Sequence, residues 1–384
     1  MHRDLVVLFN VPPPSLRGGS AVAAAKLYAV LQGHTQLVPF SLGRKTDSET
    51  LLEKAFGRVA DLFRAYRLMR SSRPDVIHLN SAFDPRSIGR DALFVTMAKR
   101  LGIPVLILFH GSDNRCFAKL PPPIDWAKWL LLSRVTCVGV LSDVERSVFA
   151  RAFPRVEDRL RVVKNVVDRS FLECAPDPDP EPRILFISRF IRAKGPFDLL
   201  RAIPRVLAAT PRARFIFAGD GEDLAEFRRQ AEIAGVLGAI QLLNNVSNLE
   251  TVELYRRAWM LVFPSYYPEG MPMVVAEAMG CALPVVSTRT RFAESYLAQG
   301  KHLLYVPRGD PEAIARSVLM LIQDAELRHR MGVANRTLAG TLFSEDVVGG
   351  EFLNIYSELA GRERRGVDRS SRSSINALSG AVDT

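Results

Sequence analysis

Short apolar runs alternate along this chain with segments whose apolar positions recur every three or four residues. The runs at 5–9, 76–79, 105–109 and 135–141 read as buried strands, and 21–31, 88–101 and 144–153 as helices between them. At 175–182, Ala-Pro-Asp-Pro-Asp-Pro-Glu-Pro excludes a helix interior or a central strand and marks an interdomain linker. The rhythm then restarts, with strands at 184–187, 214–218, 240–243, 260–263 and 284–286 and helices at 196–209, 224–234, 251–257 and 273–279; a helix at 344–359 ends the pattern. This predicts an α/β protein of two tandem doubly wound Rossmann-like domains facing a central cleft. The divisions are an N-terminal domain over 1–170, a Pro-rich linker over 171–183, a C-terminal domain over 184–343, a terminal helix over 344–360 and a disordered tail over 361–384. In such sheets ligands bind beyond the C-terminal ends of the strands, so the chemistry is expected in the cleft.

Composition leaves that picture intact: 384 residues, 48% hydrophobic and 24% charged, suit a globular enzyme of this size. The four cysteines form no C-x-x-C pair, the six histidines form no i, i+4 pair, and H-E-x-x-H is absent. Asp177-Pro-Asp179 looks like a metal-binding D-x-D but sits in the linker with no strand before it. Neither a metal nor a resident cofactor is expected. The apolar run near the N-terminus is too short for a signal peptide, and the stretch 129–141, broken by Arg134, falls short of the ~20 residues of a bilayer span. The expectation is a cytoplasmic protein, with any membrane contact peripheral, on the inner face.

Charge adds a direction. The net +10 is uneven: residues 1–170 carry 26 basic and 15 acidic side chains, against 25 and 26 in residues 171–384. An N-terminal half of that sign suits an anionic partner, either a membrane surface or a charged acceptor. The densest patch is 54–73, where Lys54, Arg58, Arg64, Arg67, Arg70 and Arg73 face Asp61 alone among interleaved apolar residues. It reads as a basic amphipathic helix, open to two interpretations: a solvated helix with its stripe in the core, or a membrane-docking element. Nothing resembling a nucleic-acid reader accompanies it.

The most informative segment runs from Phe263 to Val286. A strand feeds a loop containing Glu269 and Gly270, and Pro272 stands where a helix would start. Gly270 permits close backbone approach, and the free amides of Gly270, Met271 and Met273, with Pro272 fixing the helix start between them, form the surround of a phosphate cradle. Glu269 and Glu277 are candidates to accept hydrogen bonds from sugar hydroxyls. Their spacing alone carries nothing; their surroundings do. Together with Pro264-Ser265, Glu277-Ala278-Met279 and Pro284-Val285-Val286, they resemble the E-x7-E element of family-4 retaining glycosyltransferases, which have the GT-B fold and belong to the glycosyl transferases group 1 class. Phe186-Ile-Ser-Arg-Phe-Ile-Arg-Ala-Lys-Gly195 resembles the same family's first C-terminal strand and loop, which places Arg189 and Lys194 on the donor diphosphate. Fixed cations there stabilise the charge that develops as the diphosphate departs.

Arg17-Gly18-Gly19-Ser20 resembles the family's glycine-rich first loop, and His110, at the end of the run 105–109, its strand-end His-Gly, expected to contact the transferred sugar. Asn165-Val-Val-Asp168 resembles a family turn near the domain junction without its glycine. Ser188 and Met271 depart from the usual glycine and phenylalanine. The resemblance implies a nucleotide-sugar donor, a polysaccharide or lipid-linked acceptor, and retention of anomeric configuration. His110, Arg189, Lys194 and Glu269 are then catalytic, while Gly18, Gly19, the segment Glu269–Met273 and Glu277 bind the donor. Two alternatives stay open: a sugar-nucleotide epimerase or hydrolase on the same fold, and a catalytically silent nucleotide-sugar-binding or membrane scaffold protein.

Overall fold

The computed structural model describes residues 5–13, 18–42, 51–244, 246–267 and 269–361, and of 51–56, 58 and 59 only the backbone. Arg17, the side chains of Lys54 and Arg58, and the tail beyond Gly361 lie outside the described residues. The first half runs β1 (Val6–Asn10), α1 (Gly19–Gln32), β2 (Gln36–Phe40), α2 (Leu51–Ser72), β3 (Val76–Phe83), α3 (Pro85–Arg100), β4 (Val105–Ser112), α4 (Ile124–Arg134), β5 (Cys137–Val140), α5 (Asp143–Ala152), β6 (Leu160–Val162) and α6 (Arg169–Leu172). The second runs β7 (Arg183–Ile187), α7 (Pro196–Ala209), β8 (Arg214–Ala218), α8 (Leu224–Ile233), β9 (Ile240–Leu243), α9 (Asn248–Arg257), β10 (Met260–Phe263), α10 (Met273–Gly280), β11 (Val285–Ser287), α11 (Arg291–Tyr296), β12 (Leu303–Tyr305), α12 (Pro311–Gln323), α13 (Ala325–Phe343) and α14 (Glu345–Leu359).

Local chemistry sets these boundaries. The Asp84 carboxylate accepts from the Arg86 and Ser87 amides ahead of Pro85 at the start of α3, and Ser247 with Glu250 forms a reciprocal capping box on α9. Strands such as β1, β5 and β10 are buried along their whole length, as a parallel sheet covered on both faces requires.

Two parallel six-stranded sheets result, ordered β2-β1-β3-β4-β5-β6 and β12-β11-β10-β7-β8-β9. Each has one place where the chain reverses its direction of winding, between β1 and β3 and between β7 and β10. A crevice opens at such a point because the connections leave on opposite faces. These are two doubly wound Rossmann-like units in tandem.

The terminal helix does not stay with the second sheet. α14 packs on α1, and its Tyr356 hydroxyl lies 2.5 Å from His78 Nδ1 in the first sheet, with Phe352 and Tyr356 rings against the same imidazole. Burial lowers the His78 pKa to about 3, so this imidazole is neutral near pH 7. Lys164 pairs with Glu351 at 2.6 Å, and the Val167 amide donates to the Phe343 carbonyl. The chain thus crosses from the second sheet back to the first, tying α13 and α14 to residues 164–167 just ahead of the linker.

Candidate active site

The crevice of the second sheet lies between the ends of β7 and β10. The loop after β7 closes with a short turn, Arg192–Lys194, then Gly195 in the left-handed region at φ 79 before Pro196 opens α7. A Cβ on Gly195 would stand 2.4 Å from the Pro264 carbonyl oxygen, so glycine lets the two loops meet backbone to backbone. That contact brings Lys194 under the second loop, where its ammonium pairs with the Glu269 carboxylate and stands 4.6 Å from the Tyr267 ring centroid. Arg189 is exposed, its guanidinium 6.0 Å from the same ring. Burial, with Arg189 second, lowers the Lys194 pKa to about 7; Glu269 acts in the opposite sense, as any bound diphosphate would.

Glu269 leads into α10. A Cβ on Gly270 would lie 2.9 Å from the His110 carbonyl oxygen and 3.1 Å from Leu141 Cδ1, both in the first domain. The domains therefore touch across the cleft at this glycine. Met271 turns its side chain into the core, its sulfur accepting from the Asn165 amide at 3.3 Å. Pro272 caps α10 and Met273 begins it. One turn on, Glu277 is 7% exposed. Its Oε1 accepts from Lys26 Nζ at 2.9 Å and its Oε2 lies 3.3 Å from the Tyr255 hydroxyl.

On the opposite wall His110 ends the apolar part of β4. Asn80 donates through Nδ2 to the Asn10 carbonyl, so its Oδ1 faces His110 Nε2 at 2.8 Å. An amide oxygen only accepts; Nε2 therefore carries the ring proton. Nδ1 is left as a buried acceptor with no partner. Burial lowers the His110 pKa to about 4, so the imidazole is neutral near pH 7. Gly18 and Gly19 stand at the N-terminus of α1, with no protein atom within 4 Å of where a Cβ on either would be.

The structure thus brings Lys194 against Glu269 and Gly270 against the His110 backbone, with Arg189 beside the same Tyr267 ring as Lys194, and Glu277 lies about one turn into α10. Gly18 and Gly19 meet none of them directly; they start the helix whose third turn carries Lys26. Three participants escaped the sequence reading. Lys26 bridges Glu277 and Asp168, Tyr267 lies beside both Arg189 and Lys194, and Arg291 of α11 joins Glu145 at 3.3 Å and Asn114 at 2.5 Å across the cleft. Lys26 did leave a signal, being the one charged residue between 18 and 43. Among the described residues, no cluster of three or more His, Cys, Asp or Glu could hold a metal ion, and no helix is long and apolar enough to cross a membrane.

Two facing Rossmann-like domains, with a cation pair at one switch point and a strand-end histidine opposite, define the GT-B class. Comparison with known proteins agrees: the Glycosyltransferase Family 4 family matches residues 40–171, and the glycosyl transferases group 1 family matches residues 174–338. The chain belongs to the family-4 glycosyltransferases of GT-B fold. It is 25% identical over 313 residues to an uncharacterized glycosyltransferase of Methanocaldococcus jannaschii, covering 80% of this chain and 83% of that one. It is 21% identical to the alpha-D-kanosaminyltransferase of Streptomyces kanamyceticus, over 68% of this chain and 72% of the other. Among solved structures, Anabaena HepE in complex with UDP and glucose superposes with a TM-score of 0.71 at 14% identity, over 92% of this chain and 100% of that one.

Proposed function

We propose that this glycosyltransferase moves a sugar from a nucleoside-diphosphate-sugar to an acceptor hydroxyl with retention of anomeric configuration, in the assembly of a cell-surface polysaccharide or glycolipid. The observation that carries the reading is the Arg189, Lys194 and Glu269 cluster at the β7/β10 switch point, facing His110 across a cleft that Gly270 allows to close. The UDP and glucose bound by the Anabaena structure of the same fold support a donor of this class.

In this reading the bond from the anomeric carbon to the diphosphate breaks as the acceptor oxygen bonds to that carbon from the same face. A diphosphate oxygen takes the acceptor proton. Arg189 and Lys194 meet the charge of the departing diphosphate, Lys194 turning to it from Glu269, and supply that charge without a metal. Glu269, freed from the pair, and the vacant Nδ1 of His110 accept from sugar hydroxyls and hold the ring for attack. The backbone N–H groups of Gly270, Met271 and Met273, on either side of Pro272, face the phosphates and Glu277 holds the ribose.

The acceptor side is basic. Along α2, Ala65 and Met69 lie in the core while Phe63 is 60% exposed beside Arg64 and Arg67. We place this face against an anionic membrane surface, with the protein cytoplasmic and peripheral on the inner leaflet.

NMR of the anomeric proton tests the mechanism. With a cognate donor, slow transfer to water gives first the sugar of unchanged configuration and free nucleoside diphosphate; first appearance of the inverted anomer sinks the retaining reading. Donor converted to an isomeric nucleotide-sugar without diphosphate release would favour an epimerase.

A further inference from the structure

Lys26 lies on the N-terminal domain, yet its ammonium sits 2.9 Å from Glu277 Oε1 on α10 and 2.8 Å from Asp168 Oδ2 at the junction, and 4.9 Å from the Phe171 ring centroid. Its side chain is 11% exposed, and that of Glu277 9%. Burial opposes the charge on Lys26, but Glu277 and Asp168 outweigh it and raise the pKa above the ordinary lysine value. An ammonium this enclosed is held for what it touches. The three groups border a cleft of about 800 Å³, also lined by Ile187, Val246 and Asn248, a volume in the range of small-ligand sites.

The remaining contacts of Glu277 show what the bridge leaves free. The Tyr255 hydroxyl has one proton for two acceptors, the Val274 carbonyl at 3.0 Å and Glu277 Oε2 at 3.3 Å, so Oε2 has at most one long, shared donor. One carboxylate oxygen is pinned by Lys26, and the other is available to accept. Resting on the donor reading above, we infer that Lys26 is a positioning residue for the donor nucleoside: from the opposite domain it holds the Glu277 carboxylate aimed so that Oε2 takes a ribose hydroxyl. The nucleoside part of the donor site is then complete only while the domains are closed. Asp168 supplies the second anchor that keeps Lys26 in place when the ribose arrives.

Lys26→Met keeps the length of the side chain and removes its charge. The test is calorimetric affinity for whichever of UDP, GDP and ADP binds wild type, beside affinity for inorganic pyrophosphate, which has no ribose. Lys26→Met should weaken the nucleoside diphosphate by about tenfold, the scale of one charge-assisted hydrogen bond, and leave pyrophosphate within about twofold. Lys26→Arg should recover most of the loss. In turnover, KM for the donor should rise with little change in kcat. Asp168→Asn is the second variant should Lys26→Met fold poorly, with a loss in the same direction. Unchanged or tighter nucleoside binding in Lys26→Met, or equal losses for nucleoside diphosphate and pyrophosphate, overturns the inference while the donor reading stands. A wild type that binds none of the three nucleotides overturns both.

Discussion

Replacing Lys194 with alanine is expected to lower kcat by about 10²-fold or more, the scale on which removing one fixed charge-stabilising group slows a reaction that builds negative charge. The ammonium is buried, joined to Glu269 and bordered by Tyr267, so no other cation among its described contacts stands ready to replace it. Arg189 is exposed and reaches the site from the far side of the same ring. The pH dependence identifies the group. With the free Lys194 pKa lowered to about 7 by burial and by Arg189, a diphosphate that raises it draws in a proton on binding. Affinity is then fully developed below about pH 7 and falls as pH rises beyond it, by up to about tenfold per pH unit until the pKa of the complex is reached. Calorimetry in buffers of different ionisation enthalpy should show the proton uptake, and Lys194→Ala should abolish that fall. Near-normal turnover in Lys194→Ala removes this residue from the mechanism.

Gly270→Ala is expected to cost about 10²-fold in kcat/KM while leaving the domains folded. The added methyl would sit 2.9 Å from the His110 carbonyl oxygen, a backbone atom that cannot step aside, and 3.1 Å from Leu141 Cδ1. The available relief is to part the domains, and a displacement of about 1 Å in reacting groups is enough for a loss of that size. Nucleoside diphosphate keeps its phosphate contacts on the C-terminal domain and should lose at most the roughly tenfold that Lys26 contributes from across the cleft, less than the loss in turnover. Wild-type kcat/KM in this variant would mean the productive arrangement does not bring Gly270 against His110.

What could be read in the sequence, and what could not, divides along physical lines. Runs such as 184–187 and 260–263 are apolar on both faces and coincide with β7 and β10 within a residue, because strands buried in a parallel sheet leave no alternation to misread. β2, Gln36–Phe40, was missed: it is an edge strand, mostly half-buried, and Pro39 and Gln36 interrupt its pattern. The short strands β6 and β12, three residues each, offer too little period to see. Gly219 and Gly221 serve the close passage of their loop over Ser188 and Phe190, a role that only the folded chain shows. For the site, Arg189, Lys194, Glu269 and His110 were legible because local chemistry surrounds each of them along the chain. Lys26 and Arg291 were not, since their partners lie 251 and 146 residues away and only the folded chain brings them together.

The central claim is that a nucleoside diphosphate occupies the C-terminal switch point with its ribose on Glu277. It is tested most directly by thermal unfolding of wild type and Glu277→Ala with UDP, GDP, ADP and NAD. A ligand at one hundred times its dissociation constant adds about 2.7 kcal/mol of stability. Wild type should show a rise in Tm with one nucleoside diphosphate and Glu277→Ala a clearly smaller one, since a tenfold or greater loss of affinity leaves about 1.4 kcal/mol or less of that stabilisation. No rise with any diphosphate, a rise with NAD alone, or a rise undiminished in Glu277→Ala would contradict it.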